Sequence, residues 1–92
     1  MSKLIFRSKD RFEPDGLIEI VVWELDTPLH PCTHCYKYRL YFGMAGASVV
    51  RYDNERGKGD HVHYGETEQP YAFTTLEQLL KDFLRDTKEV KP

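Results

Sequence analysis

The sequence predicts an α+β fold, an antiparallel β-meander of four to five strands packed against one C-terminal helix. Three observations carry this reading. Leu17 to Leu25 is a β-branched run, apolar on both faces, which argues for a central strand. Tyr36, Tyr38, Leu40 and Phe42 alternate with Lys37, Arg39 and Tyr41, the period of a half-buried strand. From Leu76 the period changes. Leu76, Leu79, Leu80, Phe83 and Leu84 recur at i, i+3, i+4, i+7 and i+8, the stripe of an amphipathic helix. Turns between the strands favour a meander, and the single helix then closes the core across one face.

Taken in order, Lys3 to Ser8 reads as a first strand with Leu4 and Phe6 on one face. Glu13-Pro14-Asp15-Gly16 is a turn, because Pro presets one backbone angle and Gly accepts a positive one. The Leu17 to Leu25 strand follows. Asp26 to Cys35 is a loop broken by Pro28 and Pro31. The Tyr36 to Phe42 strand leads through a Gly-rich turn at Gly43 to Ala47 into Ser48 to Asp53, and His61 to Tyr64 supplies the fifth strand. Thr74 with Glu77, or Thr75 with Gln78, has the spacing of a helix capping box. Glu77–Lys81 and Arg85–Glu89 are i, i+4 pairs on the outward face, and Pro92 is the last residue of the sequence.

With 92 residues, the chain is long enough for one domain over residues 1–92 and one small core. Its formal net charge of −2 excludes a global basic field that would drive it onto nucleic acid. A local basic patch remains, at Lys3, Arg7, Lys9 and Arg11. No apolar run approaches the ~20 residues of a membrane span. The start lacks the charged and apolar regions of a secretory signal, so the expected location is cytoplasmic.

Chemistry concentrates between Arg51 and Tyr64. That stretch holds three basic residues, three acidic residues, two His, two Tyr and an Asn. Gly57 and Gly59 flank Lys58 and mark a tight polar loop between two strand ends, an arrangement that gathers side chains on a rigid base. His61 and His63 fall on one side of their strand, with Val62 opposite, as an acid–base pair or a metal site requires. Asp60 or Asp53 can orient a histidine. Arg51, Arg56 and Lys58 suit phosphate, and Tyr41, Tyr52 and Tyr64 suit stacking on bases. The bland alternative is a solvated hairpin loop with surface ion pairs and core tyrosines.

The stretch Val50 to Gly65 (Val-Arg-Tyr-Asp-Asn-Glu-Arg-Gly-Lys-Gly-Asp-His-Val-His-Tyr-Gly), Tyr71-Ala-Phe-Thr, and the Leu79-Leu-Lys-Asp-Phe helix together resemble the TumE family of small prokaryotic proteins. The strands Ile18 to Glu24 and Tyr36 to Tyr41 match as well, so the resemblance runs from about Lys3 to Asp86. It implies a toxin of a toxin–antitoxin module, with a helix-turn-helix antitoxin as partner. It supplies no substrate or mechanism. One place departs from the family pattern: His30-Pro31-Cys32-Thr33-His34-Cys35. Cys32 and Cys35 have the C-x2-C spacing of half a zinc site, which His30, His34, His61 or His63 would have to complete. A redox pair and two reduced surface thiols are the other readings.

Two functions follow. The first is a small ribonuclease that needs no cofactor, with His61, His63 and Asp60 for proton transfer and Arg51, Tyr52, Arg56, Lys58 and Tyr64 for RNA. The second is a non-catalytic module that binds RNA or a protein through the Tyr-rich strand and the basic N-terminal residues.

Overall fold

The computed structural model describes residues 2–89. The chain forms β1 (Lys3–Phe12), β2 (Gly16–Glu24), β3 (Tyr36–Met44), β4 (Ala47–Glu55), β5 (Gly59–Tyr64), β6 (Thr67–Pro70) and α1 (Leu76–Glu89). The strands make one six-stranded sheet in the order β1-β2-β3-β4-β5-β6, antiparallel at every step. The α+β class and the meander are as the sequence predicts, but the strand count is six rather than four to five. The additional strand is β6, whose Thr-Glu-Gln-Pro sequence has little β-propensity of its own and is exposed throughout. It is held by its pairing with β5.

Alternation divides the sheet into two faces. Ile20, Val22, Tyr38, Leu40, Phe42, Val50, Tyr52 and Val62 point to one side and bury against Leu79 and Phe83 of α1. Thr75 caps the helix, its hydroxyl accepting from the Gln78 amide at 3.1 Å. Leu84 departs from the expected stripe and is 44% exposed, while Asp86 and Thr87 are buried in its stead. Asp86 accepts from the hydroxyls of Tyr52 and, at 2.8 Å, Tyr64, and its other oxygen pairs with Arg85 at 3.2 Å. A charge at the helix–sheet seam is thus satisfied on every side. The expected Glu77–Lys81 pair forms at 3.7 Å, but Arg85 pairs with Asp82 and Asp86 rather than Glu89. Pro92 lies outside the described residues.

The first strand runs to Phe12 rather than Ser8, and its side chains are placed differently from the sequence reading. Leu4 pairs with Trp23 and Phe6 with Val22, so a bulge at Ile5 sends Leu4 and Phe6 to opposite faces.

Asn54 pins the long loop between β2 and β3 to the sheet. It is fully buried, accepts from the Tyr38 amide at 3.0 Å, and donates to the Tyr36 carbonyl at 2.7 Å and to Cys32 Sγ at 3.6 Å. Asn54→Ala leaves the Tyr38 amide and the Tyr36 carbonyl without that side chain inside the protein. A loss of ~2–4 kcal/mol is expected in chemical denaturation, from ~1–3 kcal/mol per orphaned buried group. A loss under ~1 kcal/mol would mean that water replaces the amide.

Candidate functional site

The face away from α1 is open, and the polar residues of β4 and β5 meet there. The hairpin register pairs Arg51 with His63 and Asp53 with His61, so all four side chains share this face. His61 is 3% exposed. Its Nδ1 donates to the Gly59 carbonyl at 3.1 Å, and its Nε2 lies 2.6 Å from Asp53 Oδ1. Among the described residues, neither of those two buried atoms has a hydrogen-bond partner of acceptable geometry. Arg51 Nε lies 3.2 Å from Asp53 Oδ2, and its Nη2 donates to His63 Nε2 at 2.9 Å. Partial burial and the adjacent Arg51 guanidinium lower the His63 pKa from its ordinary value, which favours a neutral, proton-accepting ring. Glu68, from the unforeseen β6, reaches in as well, 3.6 Å from His61 Nε2 and 3.8 Å from His63 Nε2. Lys58 closes the rim by pairing with Glu68 at 2.8 Å, an interaction that raises the lysine pKa.

Cross-strand register extends this face toward β1. Arg7, Val21, Arg39, Asp53 and His61 form one row, and Lys9, Glu19, Tyr41, Arg51 and His63 the next. Arg11 and Lys37 take the same side by alternation. Arg7, Lys9 and Arg11 therefore share a surface with the His pair, which linear sequence does not reveal, whereas Lys3, before the bulge, pairs with Glu24 and falls on the other face. Arg39 lies over the Tyr41 ring at 5.0 Å, so one aromatic face and one guanidinium are presented together.

Several sequence-predicted site residues fall elsewhere. Asp60 points to the opposite face from His61 and His63. It accepts from His34 Nε2 at 2.8 Å and from the Tyr38 hydroxyl at 2.7 Å. Asp53, not Asp60, is the carboxylate nearest His61, with Glu68 and Glu55 farther off at 3.6 and 3.8 Å. Tyr52 is 1% exposed and belongs to the core, and burial with its bond to Asp86 raises its hydroxyl pKa strongly. Tyr64 is half-buried on the same helix-facing side, so neither ring is offered for stacking on the open face. Arg56 is exposed on the loop, in a shallow cleft with Ser2 and Leu25 to Leu29, apart from the cluster. Gly57 and Gly59 have positive φ (87° and 81°), as the turn requires. Gly59 is buried, and a Cβ there would meet Pro31 at 3.2 Å. Its smallness therefore serves loop packing as well as the turn.

The cysteine loop also differs from expectation. Cys32, His34 and Asp60 gather their ligand-type atoms within 4.8 Å, and Cys35 is not of that group. Both His34 nitrogens are used, Nδ1 accepting from the Tyr36 amide at 3.1 Å and Nε2 donating to Asp60. The ring stacks on Phe73 with centroids 3.7 Å apart. Burial raises the Cys32 thiol pKa, the opposite of a reactive redox cysteine. His61 and His63, across the sheet, do not complete a Cys2His2 set with this loop.

A family model described as Toxin TumE matches residues 2–91. The chain belongs to the TumE toxin family. Membership in a toxin family of this kind brings with it an antitoxin partner and a prokaryotic toxin–antitoxin setting. No curated protein and no solved structure matches the chain. Among the described residues, no helix is long and apolar enough to cross a membrane. Arg51, Asp53, His61, His63 and Glu68 all lie within the matched residues.

Proposed function

We propose that this TumE-family toxin acts on RNA in the cytoplasm as a small ribonuclease, with the open sheet face as its substrate surface. The observation that supports the reading is the convergence of a neutral-favoured imidazole, His63, with the Arg51 guanidinium and a row of cations leading to them. Arg51 would hold the scissile phosphate, and Arg7, Lys9 and Arg39 its neighbours along the strand. Tyr41 offers a stacking platform. A histidine lone pair takes the proton of a ribose 2′-hydroxyl. The freed oxygen bonds to phosphorus as the P–O5′ bond breaks. The departing 5′-oxygen recovers the proton from the imidazolium. The products are a 2′,3′-cyclic phosphate end and a 5′-hydroxyl end, and no cofactor enters the balance. Asp53 supports the charge that develops on the imidazoles. The antitoxin in this reading is a helix-turn-helix protein.

The test is incubation of purified protein with an RNA oligonucleotide in EDTA, with analysis of the ends produced. Cyclic-phosphate ends from the parent protein support the ribonuclease. Retention of intact RNA in a filter or gel assay, with no cleavage, selects the binding module in its place. In either case binding should weaken with salt. Arg39→Gln and Lys9→Gln should each reduce the slope of log K against log [salt] by about one, uniformly across sequences. Unchanged slopes would remove the open face as the RNA surface.

A further inference from the structure

Asp53, His61 and His63 bring ligand-type atoms within 4.8 Å of one another on the open face, and Glu68 approaches the two histidines. His61 Nε2 is 2.6 Å from Asp53 Oδ1 and 3.6 Å from Glu68 Oε2. His63 Nε2 is 3.9 Å from Asp53 Oδ1 and 3.8 Å from Glu68 Oε2. Bonds of ~2.0–2.1 Å in a tetrahedron put ligand atoms about 3.3 Å apart, within the spread observed. We infer that Asp53, His61 and His63, with Glu68 as a fourth donor, form a binding site for a divalent transition-metal ion of the zinc class.

The state of His61 supports this most directly. Its Nδ1–H is committed to the Gly59 carbonyl, the outer-shell contact that typically fixes a metal-binding imidazole with Nε2 free. That Nε2 is buried and has no hydrogen-bond partner among the described residues, and neither has the Asp53 Oδ1 beside it. A lone pair facing a carboxylate oxygen at 2.6 Å needs positive charge between or beside the two, supplied by a proton or an ion. Two imidazoles exclude a preference for magnesium, which takes oxygen donors, and suit zinc and its neighbours. Arg51 is the resident competitor. Its Nη2 sits on the His63 lone pair and its Nε beside Asp53, so a guanidinium charge occupies the edge of the site. The Arg51 side chain is 30% exposed, with room to swing outward when an ion enters. The Cys32, His34 and Asp60 group is a weaker candidate, because both nitrogens of His34 are already engaged.

A further consequence rests on the ribonuclease reading. An ion on His61 and His63 takes the lone pairs that proton transfer needs, so occupation silences cleavage. The experiment titrates the full chain with ZnCl2, and with MgCl2 for contrast, by isothermal calorimetry and thermal unfolding. Zinc should bind with about one equivalent and raise the melting temperature, as any ligand selective for the native state does, and magnesium should do neither. His63→Gln should weaken zinc binding by more than the ~10–100-fold that follows loss of an outer-shell partner. Glu68→Gln, on an exposed strand where folding is not at risk, should weaken it less. Arg51→Gln should tighten it, which no purely structural role of Arg51 predicts. Cys32→Ser should leave it unchanged. Failure of the parent to bind zinc, or binding that survives His63→Gln and is lost in Cys32→Ser, overturns the site. In the RNA assay, cleavage by protein stripped with EDTA and then freed of the chelator that stops with one equivalent of zinc supports the silencing step, and faster cleavage with zinc overturns it. Absence of cleavage in both states counts against the ribonuclease reading alone and leaves the zinc titration to decide the site.

Discussion

His63→Gln and Arg51→Gln are each expected to remove growth inhibition when the protein is expressed in a bacterial host without antitoxin, while both variants stay folded. Loss of a group that transfers a proton in the transition state typically costs 10²–10⁴-fold in rate. Loss of one preorganised charge contact to a developing oxyanion costs a comparable factor. His63 and Arg51 are half-buried residues of the open face, so neither supports the core packed on α1. Glutamine keeps a polar group of similar reach and limits the structural disturbance. His61 differs. It is buried and links the Gly59 carbonyl to Asp53 at the base of the hairpin. His61→Ala should therefore lose toxicity together with melting temperature, and it does not separate chemistry from folding. The measurement is growth after induction, with circular dichroism and thermal melts on each purified variant. Undiminished toxicity in both His63→Gln and Arg51→Gln would make the cluster a structural ion-pair network and return the loop to its bland reading.

The core was legible where hydrophobic period and structure coincide. Tyr38, Leu40, Phe42, Leu79 and Phe83 are all buried where alternation or the helical stripe puts them, and Ile20 and Val22 are buried within the β-branched run read as a central strand. The site was legible as a stretch but not as a set. Strand alternation separates Asp60 from His61 and His63, and a register that pairs residue 51 with 63 and 53 with 61 places Asp53 beside His61. The period applied to the two histidines sorts the carboxylates as well, once the hairpin turn is placed at Gly57. Glu68 could not be found this way. Its strand has no apolar pattern and is recruited only by the exposed edge of β5. Asp86 escaped for a related reason. A helix stripe read by hydrophobicity stops at a polar residue, although Asp86 lies i+3 from Phe83 and is held inside by the Tyr52 and Tyr64 hydroxyls. The shared face of Arg7, Lys9, Arg39 and His63 is a property of four cross-strand registers, and no local segment contains it.

Phe83→Ala is expected to destabilise the fold by ~3–5 kcal/mol, the range for deleting a fully buried aromatic ring. Phe83 is 0% exposed and meets Tyr52 edge to face, with centroids 6.1 Å apart and planes at 89°. Edge-to-face pairs contribute ~0.5–1.5 kcal/mol beyond the area they bury, so the loss should fall toward the upper end. Position adds to this. The same Tyr52 carries its hydroxyl to Asp86, one turn along the helix. A cavity at Phe83 lets the helix shift and puts that buried carboxylate at risk of losing its partners, a cost hydrophobic area alone does not include. Leu84 is the internal comparison. It is next in sequence and chemically as apolar, yet it is 44% exposed, so Leu84→Ala should stay near the ~0.5 kcal/mol typical of surface changes. Chemical denaturation of both variants reads the difference. Equal and small losses would mean that α1 is not docked through Phe83. A large loss for Leu84→Ala alone would mean that the helix presents its other face to the sheet.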